Sequence, residues 1–133
     1  MKLAYLAFSE KGYLLAQKLA AELGGTAFRS GQPLSLSEWT EEHFGREEGL
    51  VFVGAAGIAV RAISPFVHDK TTDPAVVVID ERGLNVIPIL SGHLGGANNL
   101  ARSIAKATGA ACVITTATDI NGEIGRASCR ERV

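Results

Sequence analysis

The segment 91–99 holds the densest cluster of residues in this chain that could do chemistry. It reads Ser91-Gly92-His93-Leu94-Gly95-Gly96-Ala97-Asn98-Asn99, between an apolar run and a helix-like segment. Glycines there permit positive φ and close approach of a ligand to the backbone amides. The following helix directs unsatisfied N–H groups and the positive end of its dipole at the same place, which suits an anion or a developing oxyanion. His93 adds a side chain that titrates near neutral pH.

A purely structural interpretation of this segment remains open. In that case it is a tight strand-to-helix turn, its glycines serve packing, and His93 caps a backbone carbonyl. Ser91 and His93 are too close in sequence to define a serine–histidine–acid order.

A second glycine-rich loop, Gly54-Ala55-Ala56-Gly57, follows the apolar strand Leu50–Val53. Neither loop contains the dinucleotide G-x-G-x-x-G pattern or the Gly-Lys-Ser/Thr of a P-loop, which argues against nucleotide chemistry. Arg61, about one turn into the next helix, could bind a carboxylate through both guanidinium nitrogens or be a solvated helix charge. Because both loops follow strands and precede helices, we expect them to line one cleft at the same edge of a sheet.

The elements that must position these loops alternate along the chain. The pattern predicts strands at 2–8, 26–29, 50–53, 75–79, 84–90 and 111–115, and helices at 10–23, 36–44, 58–63 and 97–108. The adjacent runs 75–79 and 84–90, joined through Gly83, predict a hairpin and therefore one antiparallel pair. We expect an α/β fold, with a mixed, mostly parallel sheet and helices on both faces, in a Rossmann-like three-layer arrangement.

The composition is that of an ordinary globular domain, with 133 residues, 47% apolar and 20% charged. No apolar run reaches the roughly 20 residues that span a bilayer, and the start alternates like a strand, so the cytoplasm is the expected location. Two cysteines form neither a disulfide framework nor a zinc pattern. His43 and His68 lack metal-ligand spacing, and we expect both at the surface, with no metal site.

The last ten residues, 124–133, have three arginines and no core-forming pattern. They are similar to the translation of a common sequencing-library adapter. We therefore expect a domain at 1–122, truncated from a longer protein, and a non-native tail at 123–133. Without residues 124–133, which carry three arginines and one glutamate, the formal net charge changes from −1 to −3. A net-acidic domain carries no electrostatic footprint for nucleic acid.

Four ordered motifs closely resemble the N-terminal region of the cobalamin-biosynthesis CbiG family, the cobalt-precorrin 5A hydrolases of the anaerobic vitamin B12 route. They are 54–61 (GAAGIAVR), 69–80 (DKTTDPAVVVID), 91–98 (SGHLGGAN) and 115–119 (TTATD). The resemblance covers essentially residues 1–122. It implies hydrolytic opening of a δ-lactone on a cobalt-corrinoid, with release of acetaldehyde, and no cofactor of the protein's own, since the substrate carries the cobalt.

Residues of the two glycine loops can be given candidate roles in the hydrolysis of a lactone. Water attack on a lactone needs a base and donors for the tetrahedral oxyanion. His93 is the candidate base and Ser91 a second catalytic candidate. The candidate substrate-binding residues are Gly54, Ala55, Gly57, Arg61, Gly92, Gly95, Gly96, Asn98 and Asn99. The alternative is a non-catalytic corrinoid-binding domain that needs further regions for chemistry. An unrelated Rossmann-like nucleotide binder is disfavoured by the missing fingerprint.

Overall fold

Strands and helices alternate along most of the chain in the computed structural model, which describes residues 1–117. The strands are β1 (Leu3–Ala7), β2 (Thr26–Arg29), β3 (Gly49–Val53), β4 (Ala75–Ile79), β5 (Asn85–Leu90) and β6 (Ala111–Cys112). The helices are α1 (Glu10–Leu23), α2 (Leu36–Phe44), α3 (Ala56–Ile63) and α4 (Ala97–Thr108), with a 3-10 turn at Ser64–Phe66. The predicted tail at 123–133 lies outside the described residues.

The six strands form one sheet in the order β2-β1-β3-β4-β5-β6. Strands β1 to β4 are mutually parallel, β5 is antiparallel to β4, and β6 is parallel to β5. Strands β5 and β6 therefore run opposite to the other four. The predicted mixed, mostly parallel sheet is confirmed.

Both faces of the sheet are covered by helices. On one face α1 and α4 pack over Tyr5, Val51 and Val77, and on the other α2 and α3 pack over Phe52 and Val78. Alternate residues of a strand point to opposite faces, so a strand buried on both faces must be apolar throughout. This explains the continuous apolar runs in the sequence and confirms the predicted three layers.

The helix ends follow from local sequence. The Ser9 hydroxyl accepts the amide of Gly12 at 3.0 Å and caps α1. At α2, Ser35 and Glu38 form a capping box, and hydrogen bonds from Ser35 lower the pKa of the Glu38 carboxyl.

Two boundaries differ from the sequence prediction. Helix α3 begins at Ala56, two residues earlier than predicted, because alanine favours helix and Gly57 is tolerated in a first turn. Strand β6 spans only Ala111–Cys112, shorter than the predicted 111–115. Within residues 1–117 it pairs with β5 alone, and their register pairs two residues of each strand.

Candidate functional site

The direction of β5 decides where His93 lies. In the antiparallel β4–β5 pair, Val76 at the start of β4 faces Leu90 at the end of β5. The loop Ser91–Gly96 therefore lies at the edge of the sheet where the parallel strands begin. It lies beside residues 67–74, which lead into β4.

The predicted common cleft of the two glycine loops is wrong. The loop 54–57 follows β3 and lies at the edge where the parallel strands end, whereas β5 runs the other way. A five-residue strand, about 17 Å long, separates the two edges. The candidate binding residues consequently form two groups: Gly54, Ala55 and Gly57 at one edge, with Arg61 farther along α3, and Gly92, Gly95, Gly96, Asn98 and Asn99 at the other edge.

The backbone of the His93 loop is tightly folded. Ser91 has φ 57° and Gly96 has φ 87°, both in the left-handed region. A Cβ on Gly95 would lie 2.5 Å from Ser91 Cβ and 2.9 Å from the Ser91 carbonyl oxygen. The chain can make this turn only because residue 95 has no side chain.

The first amides of α4 are partly used within the loop. The amide of Ala97 donates to the Ser91 carbonyl at 3.1 Å, and that of Asn98 donates to the Gly92 carbonyl at 3.0 Å. These two amides are therefore not donors for a ligand. Among residues 1–117, no acceptor is within hydrogen-bond distance of the amides of Gly95 or Gly96. These are the two amides expected from the sequence as oxyanion donors, and that role stays a prediction.

Ser91 connects the loop to the chain before β4. Its hydroxyl donates to the Asp73 carbonyl at 3.1 Å, an anchoring contact, and its catalytic role stays a prediction. The Asp73 side chain is itself buried and accepts the amides of His68 at 2.8 Å and Asp69 at 3.1 Å. Asp73 therefore fixes the shape of the loop on which Lys70 lies.

The two asparagines at the start of α4 have different surroundings. Asn98 is buried, and its amide nitrogen donates to Thr116 Oγ1 at 2.9 Å. Asn99 is exposed, and its Oδ1 accepts Arg102 Nη1 at 2.6 Å. Asn98 thus connects α4 to the segment after β6, and Asn99 is the more accessible of the two for a ligand.

His93 lies in a cleft of about 580 Å³ that also has Lys70, Ser91, Leu94 and Thr116 on its walls; we call it the His93 cleft. Both His93 and Lys70 are exposed. The sequence reasoning missed Lys70, because nothing in an aperiodic loop shows which other loop it meets. The cleft combines an imidazole, an ammonium group and loop amides, a set suited to a carboxylate-bearing molecule with a reactive carbonyl.

The charges beside Lys70 are mixed. A hydrogen bond from the backbone amide of Thr71, 3.0 Å from Asp69 Oδ1, lowers the pKa of the Asp69 carboxyl. Asp69 therefore stays charged at neutral pH and locally balances Lys70.

The other edge carries fewer side chains able to do chemistry. The Gly54 amide donates to the Ile79 carbonyl at 2.8 Å, and a Cβ on Gly54 would lie 2.8 Å from the Phe8 ring. Ala55 caps α3 without a side-chain hydrogen bond, and Arg61 is exposed. Close packing explains why residue 54 is a glycine.

The expectation of two surface histidines is wrong for His43. The residue is 3% exposed, while His68 is exposed as expected. Helix α2 presents Trp39 and His43, four residues apart, on its buried side. That i,i+4 spacing was the signal available in the sequence.

Residues 1–117 contain neither a metal-binding cluster nor a membrane-spanning helix. No group of three or more histidine, cysteine, aspartate or glutamate side chains is placed to hold a metal ion. No helix in that range has the length and apolar character to cross a membrane.

The family model described as "Cobalamin synthesis G N-terminal" matches residues 38–119, more than half of the chain and the whole of the His93 loop. The chain belongs to this family. The matched region also includes the loop 54–57, so both glycine loops are features of the cobalamin synthesis G N-terminal domain.

Named relatives of this domain are longer proteins. The cobalt-precorrin-5A hydrolase of Salmonella typhimurium is 47% identical over 128 residues, which cover 90% of this chain and 36% of the relative. The enzyme of the same name from Priestia megaterium is 54% identical over 77 residues, 58% of this chain and 21% of the relative. The chain thus spans about a third or less of these relatives.

A solved structure has the same fold. The crystal structure of a cobalamin biosynthesis protein G homolog from Sulfolobus solfataricus matches with a TM-score of 0.72 and 28% identity. The match covers 86% of this chain and 36% of that one. The cobalamin synthesis G N-terminal fold is therefore part of a larger molecule in this relative too.

Proposed function

We propose that this chain is the N-terminal part of a cobalt-precorrin-5A hydrolase, which opens the δ-lactone of a cobalt-corrinoid in the cytoplasm and releases acetaldehyde. The observation that carries the proposal is the 47% identity, over 90% of the chain, to a relative of that name. Cobalt belongs to the substrate in this proposal, and the substrate is the small-molecule partner.

The His93 cleft supplies groups that this reaction needs. The exposed imidazole of His93 can remove a proton from water. The amides of Gly95 and Gly96 are donors for a developing oxyanion, and Lys70 is a cation for a carboxylate on the rim of the corrinoid. The domain has a net acidic charge, so substrate binding depends on these local donors rather than on long-range attraction.

The proposed hydrolysis begins when His93 takes a proton from water as the water oxygen attacks the lactone carbonyl. The negative charge moves to the carbonyl oxygen, where the loop amides stabilise it. Collapse of the tetrahedral intermediate breaks the acyl carbon–oxygen bond. Protonated His93 returns the proton to the leaving oxygen, which becomes a hydroxyl group, and the new carboxylic acid releases its proton to solvent to give a carboxylate. The freed hydroxyl group then loses its proton and becomes the carbonyl of acetaldehyde as the carbon–carbon bond to the macrocycle breaks, and the macrocycle takes up the electron pair and a proton.

The second candidate is a corrinoid-binding domain whose chemistry depends on further regions. The Ser91 hydroxyl already donates to the Asp73 carbonyl, and the first two α4 amides are used within the loop. Because these groups are used in internal contacts, His93 is the main side chain of the cleft that could act in catalysis. This favours binding as the alternative role of the domain.

Substitution of His93 in a complete cobalt-precorrin-5A hydrolase containing this domain distinguishes the two. Loss of the base should lower kcat by roughly 10²- to 10⁴-fold in His93→Ala, with KM barely changed. His93→Gln should be nearly as inactive, because it keeps hydrogen bonding but is not a base. The matched control is His68→Ala, an exposed histidine outside the cleft, and it should retain activity.

A binding or structural role gives a different result. His93→Ala would then lower affinity and melting temperature together, and His93→Gln would partly restore both. Full turnover by folded His93→Ala protein would eliminate His93 as the base.

A further inference from the structure

A second cleft, far from His93, is floored by the buried aromatic side chains of α2. It has a volume of about 470 Å³ and lies between α2 and the end of β2, with Phe28, Leu34, Trp39 and His43 among its lining residues; we call it the aromatic cleft. Strands β1, β3 and β4 separate β2 from β5 in the sheet, a distance of about 20 Å at normal strand spacing. The aromatic cleft is thus independent of the His93 cleft.

The rings at its floor are held rigidly. Trp39 and His43 stack with centroids 4.6 Å apart and planes inclined by 30°. Phe28 contacts both, at 5.8 Å from Trp39 and 4.9 Å from His43. His43 Nδ1 lies 2.8 Å from Oε2 of Glu47, whose side chain is 11% exposed. A carboxylate only accepts hydrogen bonds, so Nδ1 is the donor in this contact, and in the Nδ1–H tautomer Nε2 is an acceptor.

Two buried nitrogen atoms of these rings lack a hydrogen-bond partner within residues 1–117. They are Trp39 Nε1, a donor, and His43 Nε2. Glu42 Oε2 is 3.8 Å from His43 Nε2, beyond hydrogen-bond distance. The ring of Phe28 or Phe52 beside Trp39 is at best a weak acceptor. A buried polar atom without a partner is costly, typically about 1–3 kcal/mol. A ligand that satisfied both atoms would recover this energy.

The charges at the rim favour an uncharged ligand. Arg46 Nη2 lies 3.3 Å from Glu42, and Arg29 Nη1 lies 3.0 Å from Glu10. Both arginines that line the cleft are therefore already paired with carboxylates. An anion would have to compete with these carboxylates, whereas a neutral group would not.

We propose that the aromatic cleft binds a small, uncharged planar molecule carrying an amide or an equivalent pair of adjacent donor and acceptor atoms. Its acceptor takes the Trp39 Nε1 proton, and its donor serves His43 Nε2. Its ring packs against the aromatic and aliphatic walls, and a cleft of this volume accommodates a ligand of that size. Both nitrogen atoms are covered, so binding requires the atoms above them to move aside.

The test is a titration of the chain with benzamide, followed by the indole N–H signal in a ¹H–¹⁵N spectrum. Trp39 is the sole tryptophan, so the signal needs no assignment. We expect a saturable change in the chemical shift of this signal. The ¹⁵N chemical shift of His43 Nε2 should also change, whereas the ring ¹⁵N chemical shifts of His68 and His93 should not. Benzoate, with the same ring and a carboxylate in place of the amide, should bind more weakly.

Substitutions in α2 provide a second test of benzamide binding to the aromatic cleft. His43→Phe keeps the ring stack but removes Nε2, so benzamide should bind about tenfold more weakly, the loss of one buried hydrogen bond. Glu41→Gln, at an exposed position of the same helix outside the cleft, should bind like the parent. If His43→Phe does not fold, the change in the His43 Nε2 chemical shift of the wild-type protein on benzamide binding tests the contact instead. Absence of a saturable indole shift, or equal binding of benzoate, would overturn the proposal.

Discussion

At the scale of single residues, two glycines in the two loops have opposite requirements. A Cβ on Gly95 would lie 2.5 Å from Ser91 Cβ, whereas a Cβ on Gly57 would meet nothing within 4 Å. Gly57 also lies in the first turn of α3, where glycine costs backbone entropy without a compensating turn. The glycine of one loop is therefore required, and that of the other is replaceable.

Alanine substitutions at these two positions should have effects of opposite sign. Gly95→Ala should destabilise this chain by about 1–3 kcal/mol, because the loop must move to admit the side chain. Gly57→Ala should stabilise it by about 0.5–1 kcal/mol. Urea unfolding of the two variants and the parent measures both. A Gly95→Ala protein as stable as the parent would show that the loop adapts without cost.

At the scale of secondary-structure elements, Tyr5 connects β1 to the end of α1. Its side chain is buried, and its hydroxyl donates to the Gly24 carbonyl at 2.8 Å. Burial raises the pKa of Tyr5 to about 12 from 10.0. The folded state therefore disfavours ionisation of this tyrosine more than the unfolded chain does.

The stability of the chain should accordingly fall in strongly alkaline solution. A raised folded pKa means that the contribution of Tyr5 is complete below pH 10 and is lost as the pH rises to about 12. Across this range the parent should lose roughly 2–3 kcal/mol relative to Tyr5→Phe. At pH 7 the variant should be about 1 kcal/mol less stable, for the lost hydrogen bond. Parallel alkaline profiles of the two proteins in chemical denaturation would contradict this assignment.

The sequence predicted the elements better than the site. Apolar periodicity and caps such as Ser9 located every α-helix and strand that the structure describes in residues 1–117, because these signals are local. The hairpin through Gly83 was also predicted, and it already implied that β5 runs against β4. The common-cleft prediction failed because it ignored this reversal, which carries the loop after β5 to the opposite edge.

The remaining site features needed three-dimensional information. The four-residue spacing of Trp39 and His43 could have placed His43 inside. No pattern could have shown that Glu47 would meet its Nδ1 or that Lys70 would line the His93 cleft. These contacts depend on turns and loops without periodicity, where small changes of backbone direction decide which side chains meet.

At the scale of the whole molecule, the antiparallel β5 places the two glycine loops of the cobalamin synthesis G N-terminal domain at opposite edges of the sheet. Lys70 lies in the His93 cleft at one edge, and Arg61 lies on α3, whose first turn is at the other. No described contact connects their side chains. A substrate in the His93 cleft should therefore be sensitive to Lys70 and insensitive to Arg61.

A double-mutant cycle in a complete hydrolase tests this division. Lys70→Gln should raise KM for cobalt-precorrin-5A severalfold, by the loss of an exposed charge contact worth roughly 0.2–1 kcal/mol. Arg61→Gln should leave KM unchanged if the substrate occupies only the His93 cleft. The effects in the double variant should then add within about 0.5 kcal/mol, as for distant sites without shared partners. A larger coupling energy would show that one substrate spans both edges of the sheet, and the loop 54–57 would then return to the binding site despite the direction of β5.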